Sequence, residues 1–315
     1  MITTIASVGL PVDEVLEIKK NRIEPLALAG SEKRISIVTG IHGDELEGQF
    51  VCFELQRRIR ENMDCLQGIV DIYPAMNPLG IDSVTRGIPA FDLDMNRLFP
   101  GNKDGSMTEY IASKIVSDLE GSDLCIDIHA SNIFLTEIPQ VRINELHKDI
   151  LVPIAKELNV DFIWVHGAST VLESTLAHSL NSRNTPTLVV EMGVGMRITK
   201  EYCNQLVDGI FRVMRNMGIW TGDVCTPRVP IYSENPNDVY YFNAPMAGVF
   251  VPSVKHWVHL KKGDEIGCII DPLQGEVLET ILAPADGILF TIREYPIVNA
   301  GSLLGRLLRE EAYKS

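Results

Sequence analysis

The segment IVTGIHGDELEG, residues 37–48, joins an apolar run to an acidic one. KRISIVTG (33–40) predicts a buried strand, and DELEGQFVCFELQRRIREN (44–62) predicts an amphipathic helix, because apolar residues recur at every third or fourth position. His42 ends the strand, and Glu45 is expected in the first turn of the helix. The two side chains can therefore converge at the carboxyl edge of a sheet, where α/β proteins place ligands.

An imidazole and a carboxylate three residues apart suit zinc, which needs a third protein ligand and an open position for water if it is catalytic. The same residues fit a simpler interpretation, since the helix dipole alone favours acids in a first turn. Taken by itself, the HGDE motif leaves a metal site and a capped helix start equally open. Of the three acids in residues 37–48, Glu45 is the expected metal ligand, and Asp44 and Glu47 are expected to be helix-start and surface charges.

Outward from this segment, strand and helix patterns alternate as far as about residue 225, which is typical of a layered α/β domain. We therefore predict an α/β domain over residues 1–225. The loop at 79–105 has little periodicity, but its turn residues and its apolar Phe91, Leu93 and Phe99 predict an ordered, functional loop. The further predicted strands are 68–78, 123–130, 161–166 and 185–193, and the further helices are 106–120, 145–158 and 199–218.

After residue 226 the pattern changes to short strands and Gly or Pro turns, and it contains a repeat. APMAGVFVPSV (244–254) matches APADGILFTIR (283–293), and KKGDEIGCII (261–270) matches NAGSLLGRLL (299–308). Two such copies predict a small all-β barrel or sandwich over 226–315, resembling the biotinyl/lipoyl fold. The linking segment DPLQGEVLET has no lysine to modify, which argues against a carrier protein.

The composition of this chain of 315 residues limits its partners and its compartment. A formal net charge of −14 argues against nucleic acid, because phosphate binding requires clustered lysine and arginine. The amino terminus lacks the pattern of a signal peptide, and no apolar run approaches the roughly 20 residues of a membrane span. We expect a cytoplasmic protein with no membrane partner, and its six cysteines, without a CxxC pair, predict buried free thiols.

Two strand-end histidines compete to be the third metal ligand. His129 closes the strand DLCIDIHA, and Asp127 lies two residues before it on the same face of the strand. A carboxylate beside a metal-bound histidine is the usual partner that orients the imidazole. His166 also ends a strand, so the residue pattern alone does not decide between the two histidines.

A buried acid and several cations could complete such a site. Glu191 ends the otherwise apolar strand TLVVE, and a buried acid there is costly unless it is paired or functional. In the 79–105 loop, Asn96 and Arg97 together suit a bound carboxylate, and Arg86 suits a developing negative charge on oxygen. Arg183 is a further cation shortly before the Glu191 strand. Each arginine alone fits a surface position better, and only their combination with the histidines and acids favours a site.

In this order, HGDE (42–45), DLDMNRLFPG (92–101), DIHAS (127–131) and VVEMG (189–193) resemble the succinylglutamate desuccinylase/aspartoacylase family of zinc deacylases. The similarity spans roughly residues 33–218. It implies the zinc carboxypeptidase-like fold, a mixed central sheet flanked by helices, and it implies that the C-terminal β-barrel is the domain common in that family.

The resemblance also implies an activity, the zinc-dependent hydrolysis of the amide bond of a small N-acyl amino acid. It implies that His42, Glu45 and His129 bind one zinc ion per chain and that Asp127 orients His129. It implies that Glu191 is the general base and acid and that Arg86 polarises the carbonyl. Asn96 and Arg97 would bind the substrate carboxylate, and Arg183 is a looser match to a substrate-binding residue. A metallocarboxypeptidase acting on a short peptide is the alternative enzyme, and a non-enzymatic binding module built on the barrel is the third. The acyl group, the amino acid and the formation of a homo-oligomer stay open.

Overall fold

The computed structural model describes residues 1–89, 91–167 and 173–313. Its helices within these ranges are α1 Glu47–Glu61, α2 Pro78–Ser83, α3 Met107–Leu119, α4 Lys148–Ala155, α5 Leu176–Asn181 and α6 Lys200–Met217. Its strands are β1 Ile2–Gly9, β2 Val15–Ile23, β3 Arg34–Thr39, β4 Ile69–Tyr73, β5 Leu124–Ala130, β6 Leu135–Asn144, β7 Phe162–His166, β8 Thr187–Gly193, β9 Ile231–Ser233, β10 Val239–Asn243, β11 Gly248–Pro252, β12 Val258–Leu260, β13 Glu265–Asp271, β14 Glu276–Leu282, β15 Gly287–Arg293, β16 Ile297–Val298 and β17 Leu303–Arg309.

The large sheet has a parallel centre and antiparallel flanks. Its order is β1-β2-β4-β3-β5-β8-β6-β15-β17-β10, with β3, β4, β5 and β8 parallel and β6 antiparallel to β8. Apolar residues of α1, α4 and α6 pack on one face of the central strands, and those of α3 and α5 pack on the other. The mixed α/β architecture with flanking helices is therefore confirmed.

Three strands escape the sequence patterns. β1 and β2 extend the sheet at one edge, and β6 (LTEIPQVRIN) lies next to β8. β6 contains Pro139, and its register against β8 shifts between Glu137 and Gln140. Proline is tolerated within a sheet at such an irregularity. The shift also breaks the two-residue alternation on which strand prediction depends.

The turn after β3 differs from the expected helix start. α1 begins at Glu47, so Glu45 precedes the helix and does not lie in its first turn. The expectation that Asp44 and Glu47 are surface charges is wrong, since both are buried. Glu47 accepts hydrogen bonds from the Thr199 backbone N–H at 2.7 Å and from the thiol of Cys203 at 3.0 Å. The start of α6 covers this acid, a tertiary contact that the local sequence does not encode.

The 79–105 segment is ordered, with α2 at its start and a short 3-10 helix at Met95–Arg97. Phe99 is buried as expected, but Phe91 and Leu93 are exposed, which contradicts the expectation for those two residues. Helix α3 follows, and it begins with a capping box, in which Ser106 and Glu109 bond each other's backbone N–H groups.

The repeat in the C-terminal part corresponds to two antiparallel strand pairs, β11 with β13 and β15 with β17. The first pair belongs to a separate sheet, ordered β14-β13-β11-β16, whereas the second pair joins the large sheet through β6. Strands β15, β17 and β10 therefore continue the large sheet beyond β6. The boundary at 225/226 and the barrel description stay predictions.

Two compositional expectations concern cysteines and membranes. All six cysteines are free; Cys52, Cys125 and Cys203 are buried, and the other three are partly buried. Among the described residues, no helix combines the length and the apolar character that crossing a membrane requires.

Candidate metal centre

His42, Glu45 and His129 converge at the carboxyl ends of the parallel strands. His42 follows β3, and His129 lies near the end of β5, its neighbour in the sheet. Glu45 Oε1 lies 2.7 Å from His42 Nδ1, and Glu45 Oε2 lies 2.9 Å from His129 Nδ1. The possible ligand atoms of the three residues all lie within 4.8 Å of one another, and all three residues are buried.

The tight turn between His42 and Glu45 requires a residue without a side chain. A Cβ atom on Gly43 would lie 2.0 Å from the backbone carbon of Gly80, at which distance one of the two segments must move. The Gly43 N–H donates to the carbonyl of Arg86 at 3.2 Å. Close contact with the 79–105 segment therefore fixes the turn that presents both ligands.

A carboxylate lies beside the Nε2 atom of each imidazole ring. The Nε2 atom of His42 lies 3.0 Å from Asp94 Oδ1, within hydrogen-bond distance. The Nε2 atom of His129 lies 3.2 Å from Asp127 Oδ2, although at an angle too poor for a hydrogen bond. Because each far nitrogen faces a carboxylate, each Nδ1 is turned towards Glu45, the arrangement that orients metal-binding histidines.

The electrostatics of the cluster favour a bound cation. Burial raises the pKa of Glu45, but the neighbouring His129 and His42 outweigh burial, so the pKa is lowered and the carboxylate is ionised. The backbone N–H of Ala130 also donates to Glu45 Oε2 at 3.1 Å. Two imidazoles and one carboxylate form a donor set that suits Zn²⁺ and leaves room for a further ligand, so these residues fit a catalytic metal.

Glu191 lies beside this cluster, on the strand next to His129. The two residues are direct partners in the parallel β5–β8 pairing, so both side chains project from the same face. Burial raises the pKa of Glu191, and the nearby Arg142 and His129 oppose that rise only in part. The Nη1 atom of Arg142 lies 3.4 Å from Glu191 Oε1.

The 79–105 segment carries three of the predicted residues, Arg86, Asn96 and Arg97, and of these Arg86 contacts the cluster. Arg86 Nη1 donates to Glu45 Oε1 at 2.9 Å, and its side chain is 41% exposed. Asn96 Oδ1 accepts the backbone N–H of Leu176 at 3.0 Å, which leaves the amide nitrogen to donate elsewhere. Arg97 Nη1 donates to the Asn96 carbonyl at 2.8 Å, and Arg97 is exposed. Arg86 can therefore reach a group at the cluster, and Arg97 keeps free donors.

Two other predicted candidates lie elsewhere. Arg183 precedes β8, where its guanidinium donates to the Ser179 carbonyl and lies 4.0 Å from Glu120. Glu191 is near the opposite end of that strand, so the structure does not bring Arg183 to the cluster. His166, the rival ligand, packs against Trp164 with the ring planes tilted and the ring centroids 4.3 Å apart. The metal-binding group found among the described residues does not include His166.

Sequence reasoning missed Asp94 and Arg142. Asp94 lies inside the DLDMNRLFPG motif, two residues before Asn96, and that motif was the available signal. Arg142 gave no signal, because the strand that carries it was itself missed. A cavity of about 310 Å³ opens beside Arg142 and Val189, and its other described lining residues include His147, His166 and His178.

Comparison with known families and curated proteins gives two matches. Residues 31–217 match the model of the succinylglutamate desuccinylase/aspartoacylase catalytic domain. The chain is also 26% identical over 272 residues to the N-alpha-acetyl-L-2,4-diaminobutyric acid deacetylase of Halomonas elongata, covering 84% of this chain and 79% of that protein.

Solved structures share the fold over nearly the whole chain. A succinylglutamate desuccinylase/aspartoacylase from Rhodobacter sphaeroides superposes with a TM-score of 0.81 at 23% identity, covering 98% of this chain and 95% of that one. The product-bound ectoine utilization protein EutE of Ruegeria pomeroyi superposes with a TM-score of 0.82 at 17% identity, with the same coverage. At these identities the likeness concerns the fold.

Proposed function

The chain belongs to the succinylglutamate desuccinylase/aspartoacylase family, and from that premise we propose that it hydrolyses the amide bond of a small N-acyl amino acid. The observation that carries the proposal is the buried group of His42, Glu45 and His129 with Glu191 beside it on the next strand. The relative from Halomonas elongata, a deacetylase of an N-acetylated amino acid, supports the same reaction class.

The metal in this proposal is Zn²⁺, one ion per chain, held by the Nδ1 atoms of the two histidines and by Glu45. Zn²⁺, when bound, lowers the pKa of water toward ~7 and polarises a carbonyl oxygen. The ionised Glu45 supplies the negative charge that such a cation requires. Asp94 bonds the far nitrogen of the His42 ring and Asp127 lies beside that of His129, so both Nδ1 atoms point towards Glu45.

Glu191 is the proposed general base and general acid. Its position beside His129 supports this role, and partial burial raises the pKa of its carboxyl, which improves its match to proton transfer near neutral pH. It takes a proton from the attacking water and returns that proton to the nitrogen of the leaving amine. The products are a carboxylic acid and a free amino acid.

Arg86 and the pair of Asn96 and Arg97 have separate proposed tasks. Arg86, whose guanidinium already touches the cluster, stabilises the negative charge that develops on the amide oxygen as the water adds to the carbonyl carbon. Asn96 and Arg97 hold the carboxylate of the amino acid, through the free amide N–H₂ of one and the remaining guanidinium donors of the other. Arg183 has no task here, because its own contacts are made near the start of β8.

The test is a panel of acetyl-, succinyl- and longer N-acyl amino acids, with a dipeptide as the carboxypeptidase substrate, assayed with zinc-loaded protein. We expect turnover of at least one N-acyl amino acid. Glu191→Gln should abolish that turnover and keep about one zinc per chain, because the substitution removes the base but no ligand. Cleavage of the dipeptide alone would favour the carboxypeptidase, and full activity of Glu191→Gln would disprove the assigned role.

A further inference from the structure

Glu137 joins the catalytic part of the sheet to its C-terminal strands. This residue on β6 is 1% exposed, and it accepts two hydrogen bonds from Arg142 Nη2, at 2.9 and 3.1 Å. It also accepts one from Thr291 Oγ1 at 3.2 Å and one from Arg306 Nη1. Thr291 belongs to β15 and Arg306 to β17, so one buried carboxylate binds side chains from both parts of the chain.

Arg142, the next member of this chain of contacts, lies between Glu137 and Glu191. Its guanidinium is bound through Nη2 to Glu137, whereas its Nη1 approaches Glu191 only to 3.4 Å, longer than the usual ~2.9 Å of an N–H···O bond. The ring of Trp164 lies 5.9 Å from the guanidinium carbon on another side. Glu137 thus fixes the cation beside Glu191 while the oxygens of Glu191 keep their lone pairs for a proton.

The four charges balance one another in a poorly solvated place. Arg142 and Arg306 carry two positive charges, and Glu137 and Glu191 carry two negative ones when ionised. The side chain of Arg306 is only 14% exposed, and its guanidinium also lies over the Tyr241 ring at 5.6 Å. Removing one member leaves a buried charge without its partner, so the remaining groups must rearrange.

We propose that Arg306, Glu137 and Arg142 are positioning residues, through which the C-terminal strands hold Glu191 in the geometry that proton transfer requires. The inference rests on the proposed role of Glu191 as the base. Without Arg306, Glu137 loses one of its two cations and its hold on the Arg142 guanidinium changes. Without a charged Glu137, the guanidinium is free to bind Glu191 closely and to occupy the oxygens that accept the proton.

The test measures kcat, KM and zinc content for Arg306→Met and Glu137→Gln in the full-length, zinc-loaded protein. We expect kcat to fall on the order of 10- to 100-fold, since small misplacements of a reacting group cost about this much. KM should stay within about twofold and zinc near one per chain, because neither residue belongs to the metal cluster. Arg306→Lys, which keeps the charge, should recover part of kcat, and the double variant should be no slower than the slower single variant.

Arg228→Met is the matched control. Arg228 also joins the chain after residue 225 to the catalytic part, through an ion pair with the buried Asp161 at 2.7 Å, and it lies outside the Glu137 chain of contacts. We expect an unchanged kcat for this variant. Where Arg306→Met fails to fold, Thr291→Val removes a single hydrogen bond to Glu137 and should give a smaller fall in kcat in the same direction.

Three results would overturn the inference. The first is an unchanged kcat in Arg306→Met and Glu137→Gln. The second is a rise in KM without a fall in kcat in these two variants, which would make Arg142 a substrate-binding residue. The third is an equal fall in kcat in Arg228→Met. If Glu191→Gln is inactive while the positioning variants retain full kcat, the inference fails and the proposed function stands. If Glu191→Gln is itself fully active, the proposed function fails.

Discussion

His129 and Glu191 face each other across two neighbouring strands, but different parts of the chain support them. His129 lies within hydrogen-bond distance of Glu45 and next to the carboxylate of Asp127. These two acids belong to the motifs at the ends of β3 and β5. Glu191 is flanked by Arg142, which depends on Glu137 and, through it, on Arg306 of the C-terminal strands. The proposed metal side of the site is therefore built by motifs at two neighbouring strand ends, whereas the proposed base side depends also on the C-terminal strands.

The largest expected effect would break the metal side of this comparison. His129→Ala removes one of three protein ligands, and we expect it to lose bound zinc and to lower turnover by about 10³-fold or more, since a catalytic metal contributes several kcal/mol. His166→Ala is the control, because it removes another strand-end histidine that lies outside the cluster. Zinc content by atomic absorption checks both; zinc retained in His129→Ala and lost in His166→Ala would reverse the assignment.

A smaller effect should come from the contacts behind the ligands. Asp94→Asn removes the negative charge that faces His42 Nε2 at 3.0 Å. We expect a 10- to 100-fold weaker affinity for zinc, roughly the usual cost of changing a carboxylate that orients a metal-binding histidine. Asp92→Asn, an exposed change in the same loop, should leave the affinity unchanged. Titration against a zinc chelator measures both. Equal affinities in the two variants would show that Asp94 does not support His42.

The smallest expected effect sharpens the base side, through pH. Burial raises the pKa of Glu191 above its ordinary value of 4.5, and a base must be ionised to accept a proton. Below that raised pKa, kcat should therefore fall about tenfold for each pH unit, and it should recover as the pH rises through it. Zinc content measured at each pH is the control. An acid limb that coincides with loss of zinc would belong to the ligands and not to Glu191.

The predictable part of the site is the part that local patterns encode. A strand, a glycine turn and a helix are visible in IVTGIHGDELEG, and strand-end residues such as His129 and Glu191 must meet at one edge of a parallel sheet. Those placements agree with the structure, as do α1, α3, α6 and the central strands apart from small shifts at their ends. Arg183 is the exception. It lies before the start of β8, at the end of the strand opposite to Glu191, and it makes its contacts there.

The unpredicted part depends on tertiary contacts. The charge of Glu47 alone favours a surface position, but the start of α6 covers this residue. β6 looked irregular because Pro139 and the register shift interrupt its alternation. Because that strand was not predicted, Glu137 and Arg142 were not predicted either, although Arg142 lies next to Glu191 and binds Glu137.

The sequence by itself determined the layered α/β fold, the family and the three residues that could hold a metal, because these follow from short-range periodicity and from side chains held at strand ends. Only the tertiary structure decided what lies behind them. Glu137 and Arg306 are 169 residues apart and meet because β6, β15 and β17 lie side by side in one sheet. An ion pair between such residues depends on distance in space and on burial, and neither leaves a pattern along the chain.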